Sequence, residues 1–399
     1  MPRPEGPEAG PGGLSSAVVI GTGLIGTSIA LALSEQGVTV WLADHDPAAA
    51  RLAADLGAGK VLPEPLGAAE RGQGAPEAAA PPGGPPRAQE GPWADLAVLA
   101  VPPAAVAPSL AAAQARRVAR WYTDVASVKA LPLRQASELG CDLACFVPGH
   151  PLSGRERSGP AAARADLFLG RPWVICPGPL TSPEAVAAVA DLVRRCRGEL
   201  VRADADEHDH WVALVSHAPH VVAAAMAAQL TDAPGGALGL AGQGLRDVTR
   251  IAGGDSGLWT QILAANATPV ARVLADVAAD LAAVAEALAE TGAPQAAEPP
   301  SVKLLAGLLE EGSAGVARIP GKRGAPARDN AVVQVVIPDR PGELARLFQV
   351  AGESGVNIED IGIEHSPGLP VGVAELTVRP DAVARLTQAL AAAGWPVRR

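Results

Sequence analysis

Short apolar runs alternate with helix-like segments along the first two hundred residues. Residues 17–20 form an apolar run short enough to be a buried strand, and residues 38–42 form a second one. Between them, residues 24–33 carry the continuous apolar pattern of a buried helix. A strand, a helix and a strand in such quick succession predict a βαβ unit, which implies a parallel sheet covered by helices.

Further apolar runs continue this pattern and predict more strands of the same first domain, which we expect to cover residues 16–204. These runs are residues 96–101, 121–125, 144–147, 173–176 and 200–201. Residues 60–93 are rich in Pro, Gly and Ala and cannot bury a core, so we expect a low-complexity surface insertion without a function. Residues 1–15 are expected to be a disordered tail.

The rest of the chain predicts two further domains. Residues 205–291 are rich in Ala, Leu and Val with few strand formers, which predicts an all-helical domain. Residues 292–329 contain a proline-rich break and a basic patch with glycines, which indicate a linker. Residues 330–399 return to strand patterning in the order β-α-β-β-α-β, which is that of the ferredoxin-like fold.

Composition and charge narrow the classes of partner. The 399 residues include 42 acidic and 32 basic side chains, and the net charge of −10 gives no overall attraction to nucleic acid or anionic membranes. Two apolar stretches, residues 17–33 and 96–113, are interrupted by glycines and prolines, so neither is expected to span a membrane. The spacing of the four cysteines matches neither a zinc framework nor a dense disulfide scaffold, which favours a reduced, cytoplasmic protein.

A glycine-rich turn follows the first predicted strand and opens the first predicted helix. It consists of Gly21, Thr22, Gly23, Leu24, Ile25 and Gly26, which match GxGxxG. In this context the pattern predicts a dinucleotide-binding Rossmann domain. Asp44 ends the second strand, where a carboxylate accepts hydrogen bonds from ribose hydroxyls and repels a 2′-phosphate, so NAD is favoured. A structural turn with a helix-capping Asp44 is the alternative, and the neighbouring His45 leaves room for NADP.

Four of the seven histidines lie between residues 208 and 220. On an ideal helix His210, His217 and His220 share one side, and His208 lies about opposite. No zinc-binding spacing such as HExxH is present, so no metal is expected. A substrate pocket and buried structural histidines both remain open as explanations.

Two polar segments follow predicted strands at the edge where open α/β sheets bind ligands. These are DVASVK at residues 124–129 and PGHPLSG at residues 148–154. Prolines fix the loop around His150, and Ser127 could hold its ring by a hydrogen bond. Either segment is equally compatible with turn structure. In the helical domain, Arg246 and Arg250 lie one helical turn apart, so they could bind one anion or pair with surface acids.

Taken in order, these motifs resemble the prephenate dehydrogenase family over nearly the whole chain from residue 17. The matching segments are VVIGTGLIGTSIALAL, DVASVK, PGHPLSGRERSG, SHAPHVVAAAM and GLRDVTRIAGGDSGLW. The resemblance implies NAD-dependent oxidative decarboxylation of prephenate to 4-hydroxyphenylpyruvate in tyrosine biosynthesis, by a homodimer with a Rossmann domain and a helical dimerisation domain. The segment DRPGELARLFQVAGESGVNIEDIGIEH resembles an ACT domain, which implies a tyrosine effector near Gly342 and Asn357.

The resemblance also implies roles for individual residues. His150 would accept the proton of the ring hydroxyl as hydride leaves, and Ser127 would orient it. Arg250 would bind a substrate carboxylate, and Glu156 would gate the pocket. Arg155 stands where a small hydroxyl residue is expected, and its extra cation leaves arogenate open as the substrate. The residues assigned to the substrate are His217, His220, Arg246, Arg250, Arg155 and Glu156.

There are two rival functions, a protein of a different class and a second kind of enzyme. The first is an amino-acid-sensing regulatory protein in which the ACT-like module is active and the dehydrogenase domain is a relic. The joint presence of Ser127, His150, His217 and Arg250 argues against it. The second is a β-hydroxyacid dehydrogenase, which uses a lysine of its helical domain as acid and base. Residues 205–291 contain no lysine, so this rival is disfavoured.

Overall fold

The computed structural model describes residues 13–63, 93–153, 159–290, 300–319, 330–365 and 370–398. These residues form two compact units that divide between Asp276 and Val277. Arg155 and Glu156 lie outside the described residues, as do the tail and nearly all of the predicted insertion. Two residues of that insertion, Lys60 and Val61, instead form a short strand of the main sheet.

A six-stranded parallel sheet is the centre of the first unit. Its strands are β1 (Ser16–Ile20), β2 (Thr39–Ala43), β3 (Lys60–Val61), β4 (Ala94–Leu99), β5 (Ala119–Asp124) and β6 (Phe146–Val147). They lie in the order β3-β2-β1-β4-β5-β6, and every neighbouring pair is parallel. This is the strand order of the dinucleotide-binding Rossmann fold, so the predicted fold of this domain is confirmed.

Helices cover both faces of the sheet, which explains why most of its strand residues are apolar and buried. They are α1 (Leu24–Ser34), α2 (Pro47–Asp55), α3 (Pro103–Ala115), α4 (Ala130–Glu138) and α5 (Pro183–Arg195). Successive residues of a strand point to opposite faces. Accordingly, Val19 belongs to an aliphatic cluster with Ile29, whereas its neighbour Val18 belongs to another cluster with Leu110.

A small second sheet carries His150. Its strands are β7 (Gly149–Pro151), β8 (Pro172–Ile175) and β9 (Glu199–Arg202). β7 pairs antiparallel with β8, so that His150 lies opposite Val174, and β8 pairs parallel with β9. We expected a proline-fixed loop at this position. Instead, Gly149, His150 and Pro151 form a short strand that pairs with β8. This pairing fixes the backbone of His150 on a strand.

The helical part of the first unit follows β9. Its elements are α6 (Ala205–Val212), a π-helical turn (Ala213–His217), α7 (Ala218–Ala228), α8 (Gly235–Leu238), α9 (Gln243–Thr249), α10 (Ser256–Ala265) and α11 (Ala267–Glu290), which continues into the second unit. By length and composition, the helical segment 205–228 could cross a membrane, and 33% of its most apolar stretch is buried within the protein. This segment also buries the polar side chains of His208, Asp209 and His217.

The second unit contains a four-stranded antiparallel sheet with two helices. After α12 (Pro300–Ala317), its elements are β10 (Ala331–Pro338), α13 (Glu343–Glu353), β11 (Ile358–His365), β12 (Val371–Val378), α14 (Val383–Ala392) and β13 (Val397–Arg398). The sheet order is β11-β12-β10-β13. Alternate residues of β10 (Val333, Val335 and Ile337) are buried against Leu347 and Leu386. Residues 300–317 were expected to be linker, but leucines at helical spacing and no internal proline make them a helix.

Substitution of Gly26 by alanine is expected to destabilise the first unit. A β-carbon on Gly26 would lie 1.9 Å from the carbonyl oxygen of Gly21 and 2.9 Å from the β-carbon of Ala100, and neither neighbour can move freely. Such overpacking typically costs about 1–3 kcal/mol. The matched control is Gly23→Ala, since a β-carbon on Gly23 meets no atom within 4 Å. Chemical denaturation should show a clear loss for the first variant and less than about 1 kcal/mol for the second. Equal losses would contradict the packing argument.

Candidate active site

Two of the three glycines in the turn allow close backbone packing, and the third leaves space beside α1. Gly21 has a φ of 99°, and a β-carbon there would lie 2.2 Å from the carbonyl oxygen of Ala100. Gly26 packs equally closely on Gly21. Gly23, by contrast, precedes α1 and leaves open space beside the first turn of that helix. Free backbone N–H groups and the helix dipole make this position suitable for a phosphate group, so the turn fits a dinucleotide.

Asp44 is held as a carboxylate at the end of β2. It accepts hydrogen bonds from the backbone N–H of Thr22 (2.5 Å), the hydroxyl of Thr22 (2.9 Å) and the N–H of Asp46 (2.9 Å). Burial tends to raise its pKa, but these hydrogen bonds and the nearby His45 outweigh burial and hold the pKa below its ordinary value. Asp44 is therefore negatively charged at neutral pH.

Two adjoining cavities meet at His150. The first, of about 410 Å³, extends from the glycine turn to His150 and includes Leu24, Ile25 and Ser127 in its lining. The second, of about 530 Å³, lies towards the helical segment. Its polar lining residues are Ser127, His150, Ser153, Ser216, His217, His220 and Arg250. Ser127 and His150 contact both cavities. A group in the first cavity and a molecule in the second would thus meet beside these two side chains.

A chain of buried side chains holds the His150 ring. Its Nδ1 lies 2.9 Å from Nε2 of His208, and Nδ1 of His208 lies 2.8 Å from Oδ1 of Asp209. We expected Ser127 to hold the ring. Within the described residues Ser127 makes no hydrogen bond to His150. Nδ1 of His150 is bonded to His208 instead. The prediction for this contact was wrong, although Ser127 does lie at the site.

Asp209 also contacts two other parts of the first unit. Its carboxylate accepts hydrogen bonds from the backbone N–H groups of Lys129 (2.8 Å) and Ala130 (2.9 Å) at the start of α4. Its carbonyl oxygen accepts a hydrogen bond from the amide nitrogen of Asn266 (2.8 Å). The same amide nitrogen lies 3.1 Å from Nδ1 of His217. Sequence reasoning missed Asp209 and Asn266, since neither belongs to a recognisable motif.

The π-helical turn explains why the helical projection misplaced two histidines. A π-helical turn contains an extra residue, which rotates the following residues by roughly 100° relative to an ideal α-helix. His208 and His217, predicted to lie on opposite sides, are consequently both buried around one site. His210, predicted to share a side with His217, is exposed and contacts the carbonyl oxygen of Asp206.

A buried ion pair fixes the start of β7. Lys129 and Asp124 are both fully buried and paired through the Lys129 ammonium and Oδ2 of Asp124. Lys129 Nζ also donates to the carbonyl oxygen of Gly149 (2.6 Å), and the N–H of Gly149 donates to Oδ1 of Asp124 (3.1 Å). Both backbone groups of Gly149 are therefore held next to His150. The segment DVASVK thus has a clear positioning function.

Two stacked rings, those of His220 and Trp259, form part of the lining of the second cavity. The ring of His220 stacks on Trp259, with centroids 3.6 Å apart and planes 12° from parallel. Arg250 lines this cavity, whereas Arg246 on α9 is not among the described residues lining either cavity, although both arginines are exposed. Ser153 was missed by sequence reasoning. It is 4% exposed, and its hydroxyl has no hydrogen-bond partner among the described residues.

The three histidines that line the second cavity, His150, His217 and His220, are neutral at physiological pH. Burial, followed by the charges of His208, Lys129 and His217, holds the pKa of His150 well below 6.5. Burial also lowers the pKa of His217 to about 4, although Asp209 opposes this shift. Burial likewise lowers the pKa of His220. Arg250 therefore carries the positive charge in the described lining of the second cavity.

No group of three or more His, Cys, Asp or Glu side chains forms a candidate metal site within the ranges that the structure describes. The four cysteines, all of which are described, are free thiols.

Comparisons with known proteins agree with this architecture. Residues 87–202 match the family model of the prephenate dehydrogenase nucleotide-binding domain, and residues 204–299 match that of the prephenate dehydrogenase dimerization domain. The probable prephenate dehydrogenase NovF of Streptomyces niveus is 41% identical over 387 residues, which cover 96% of this chain and 99% of that protein. The cyclohexadienyl dehydrogenase of Zymomonas mobilis is 32% identical over 188 residues, which cover 45% of this chain and 63% of that protein.

Solved structures show the same fold. The prephenate dehydrogenase from Aquifex aeolicus, in complex with hydroxyphenyl propionate and NAD+, superposes with a TM-score of 0.61 at 21% identity, over 76% of this chain and 97% of that one. The Synechocystis arogenate dehydrogenase gives a TM-score of 0.56 at 24% identity, over 75% of this chain and 99% of that one. The two family models and the similarity to NovF over nearly the whole chain confirm the predicted family, enzyme class and cofactor, and the solved structures confirm the fold. The chain belongs to the prephenate dehydrogenase family and is an NAD-dependent oxidoreductase.

Proposed function

We propose that the protein oxidatively decarboxylates prephenate to 4-hydroxyphenylpyruvate. The observation that supports this most directly is the position of His150, a neutral and buried histidine that contacts both cavities. His208 occupies its Nδ1, so Nε2 is the nitrogen left for a substrate. NAD in the first cavity would supply the hydride acceptor. A base next to that acceptor is what oxidation of a ring carbinol requires.

His150 moves one proton in this reaction. Its Nε2 accepts the proton of the 4-hydroxyl while the hydrogen on C4 leaves as hydride. The C1–carboxylate bond then breaks, and its electron pair completes the aromatic ring as CO2 departs. The proton returns to the oxygen on C4, which becomes a phenol. The chain therefore needs no second acid, because the same imidazole takes and returns the proton.

Arg250 is proposed to bind the carboxylate of the substrate side chain. Prephenate carries two carboxylates, and the one on C1 leaves as neutral CO2. A cation paired with that group would stabilise the charge that has to disappear and so oppose the reaction. The side-chain carboxylate keeps its charge throughout and is the better partner for a guanidinium. We expect Arg250 to contribute to substrate affinity more than to turnover.

The charges of the described residues that line the second cavity favour prephenate over arogenate. Arogenate has an ammonium group where prephenate has a ketone. The described residues that line this cavity include no carboxylate to pair with an ammonium group. Asp44, as a carboxylate next to the glycine turn, favours NAD over NADP because it repels a 2′-phosphate.

Turnover assays with prephenate and arogenate, each offered with NAD and with NADP, test this proposal. We expect NADH formation with prephenate and a kcat/KM at least about tenfold lower with arogenate, since an unpaired charged group costs more than about 1.4 kcal/mol. Turnover of arogenate alone would overturn the substrate assignment. Silence with all four pairs would favour the regulatory protein.

The substitution His150→Asn should lower kcat by a factor on the order of 10² to 10⁴, the usual contribution of a general base. NAD affinity should not change, because the glycine turn and Asp44 are untouched. Stopped-flow or steady-state kinetics and calorimetry with NAD measure both effects. The matched control is the exposed His210→Asn, which should keep its turnover. Near-normal kcat in the His150 variant would remove this residue from the mechanism.

Residues 330–399 are proposed to be an ACT domain that binds tyrosine. Their β-α-β-β-α-β order supports this assignment, and Gly342 and Asn357 lie at the start of α13 and just before β11. The match of residues 204–299 to a dimerization domain supports a homodimer. Calorimetry should detect heat when tyrosine is added to the full chain. No heat with tyrosine, phenylalanine or tryptophan would rule out this regulatory site.

A further inference from the structure

We propose that the buried residues around Asp209 hold the two site histidines in opposite tautomers. In this arrangement Nε2 of His150 is a hydrogen-bond acceptor, whereas Nε2 of His217 is a donor. The tautomers follow from hydrogen bonds within the protein. Only the roles of these two nitrogens in substrate binding and proton transfer rest on the proposed function.

The tautomer of His150 follows from the carboxylate of Asp209. An ionised carboxylate only accepts hydrogen bonds, so Nδ1 of His208, which lies 2.8 Å away, carries a hydrogen. When its ring is neutral, His208 has a single N–H group, so its Nε2 is an acceptor. The ring of His150 must then donate from Nδ1, at 2.9 Å. Its own Nε2 is left with a free lone pair, as a general base requires.

The tautomer of His217 follows from Asn266. The carbonyl oxygen of Asp209 only accepts, so the side-chain group 2.8 Å from it is the NH2 group of Asn266. This contact fixes which way the amide points. The same NH2 group lies 3.1 Å from Nδ1 of His217, which is consequently an acceptor. The hydrogen of His217 is on Nε2, and Asn266 is only 3% exposed, so water does not compete for these groups.

Opposite tautomers suit two different groups of one substrate. Both histidines line the second cavity. The acceptor on His150 matches a hydroxyl that must lose its proton. The donor on His217 matches an oxygen that keeps its lone pairs, such as a carbonyl or carboxylate oxygen. His217 remains a neutral donor, since burial lowers its pKa to about 4. In the opposite tautomer, His150 would present an N–H to the hydroxyl and could not accept its proton.

Nitrogen NMR of the intact protein labelled with ¹⁵N-histidine tests the tautomers without any substrate. The signals of His150 and His217 are assigned by their loss in His150→Asn and His217→Asn. We expect a protonated Nδ1 and an unprotonated Nε2 for His150, and the reverse for His217. The same tautomer in both rings, or a doubly protonated His208, would overturn the inference. Because this readout needs no turnover, it stays informative if the proposed reaction is wrong.

Kinetics of variants in His208 test its positioning role. His208→Leu leaves Nδ1 of His150 without an acceptor, and we expect kcat to fall on the order of 10²-fold with unchanged NAD affinity. His208→Gln should retain more activity, since its amide oxygen still accepts that hydrogen bond. The matched control is His210→Gln, an exposed histidine two residues away, which should behave as the parent does.

A double-mutant cycle separates positioning from general damage. In the His150→Asn background there is no base left to orient, so His208→Leu should lower kcat no further. Additive losses would mean that His208 acts through overall stability, and they would overturn its role.

Asn266→Ala should mainly raise KM, because His217 is proposed to bind the substrate. A fall in kcat at constant KM would contradict that division between the two histidines.

Discussion

The geometry of the site depends on one buried acceptor, Asp209. Its carboxylate accepts hydrogen bonds from the start of α4 and from His208, and its carbonyl oxygen accepts one from Asn266. Because α4 connects β5 and β6 of the parallel sheet and Asn266 joins α10 to α11, this single residue links the nucleotide-binding and helical parts of the first unit. The same contacts determine which nitrogen of each site histidine carries a hydrogen. Asp209 therefore both joins the two parts of the first unit and sets which nitrogens of the site histidines donate and accept.

The buried pair formed by Asp124 and Lys129 also fixes the position of His150. A buried ion pair contributes little net stability, but loss of either partner leaves an uncompensated charge that costs about 3–5 kcal/mol. In this protein the pair also holds both backbone groups of Gly149, directly before His150. The backbone of His150 is thus fixed by β7 and this ion pair, and its ring by His208. A base held at both points loses little freedom when a substrate binds.

Local patterns in the sequence predicted much of the fold. The parallel sheet follows from apolar runs, and the glycine turn follows from close packing that only glycine permits. His150, His217 and Arg250 were found through motifs, and the structure brings them to one cavity. The contacts that orient them join residues 49 to 80 positions apart, and no local pattern encodes such contacts. His208 was misplaced for a different reason, since an ideal helical projection cannot anticipate a π-helical turn.

The central claim is that Nε2 of His150 receives the proton of the ring hydroxyl. A crystal structure of the protein with NADH and 4-hydroxyphenylpyruvate tests it most directly. The account predicts that the phenolic oxygen lies within hydrogen-bond distance of Nε2 of His150, with the side-chain carboxylate towards Arg250. A ring bound the other way round, with its hydroxyl at Arg250 and a carboxylate at His150, would contradict the account.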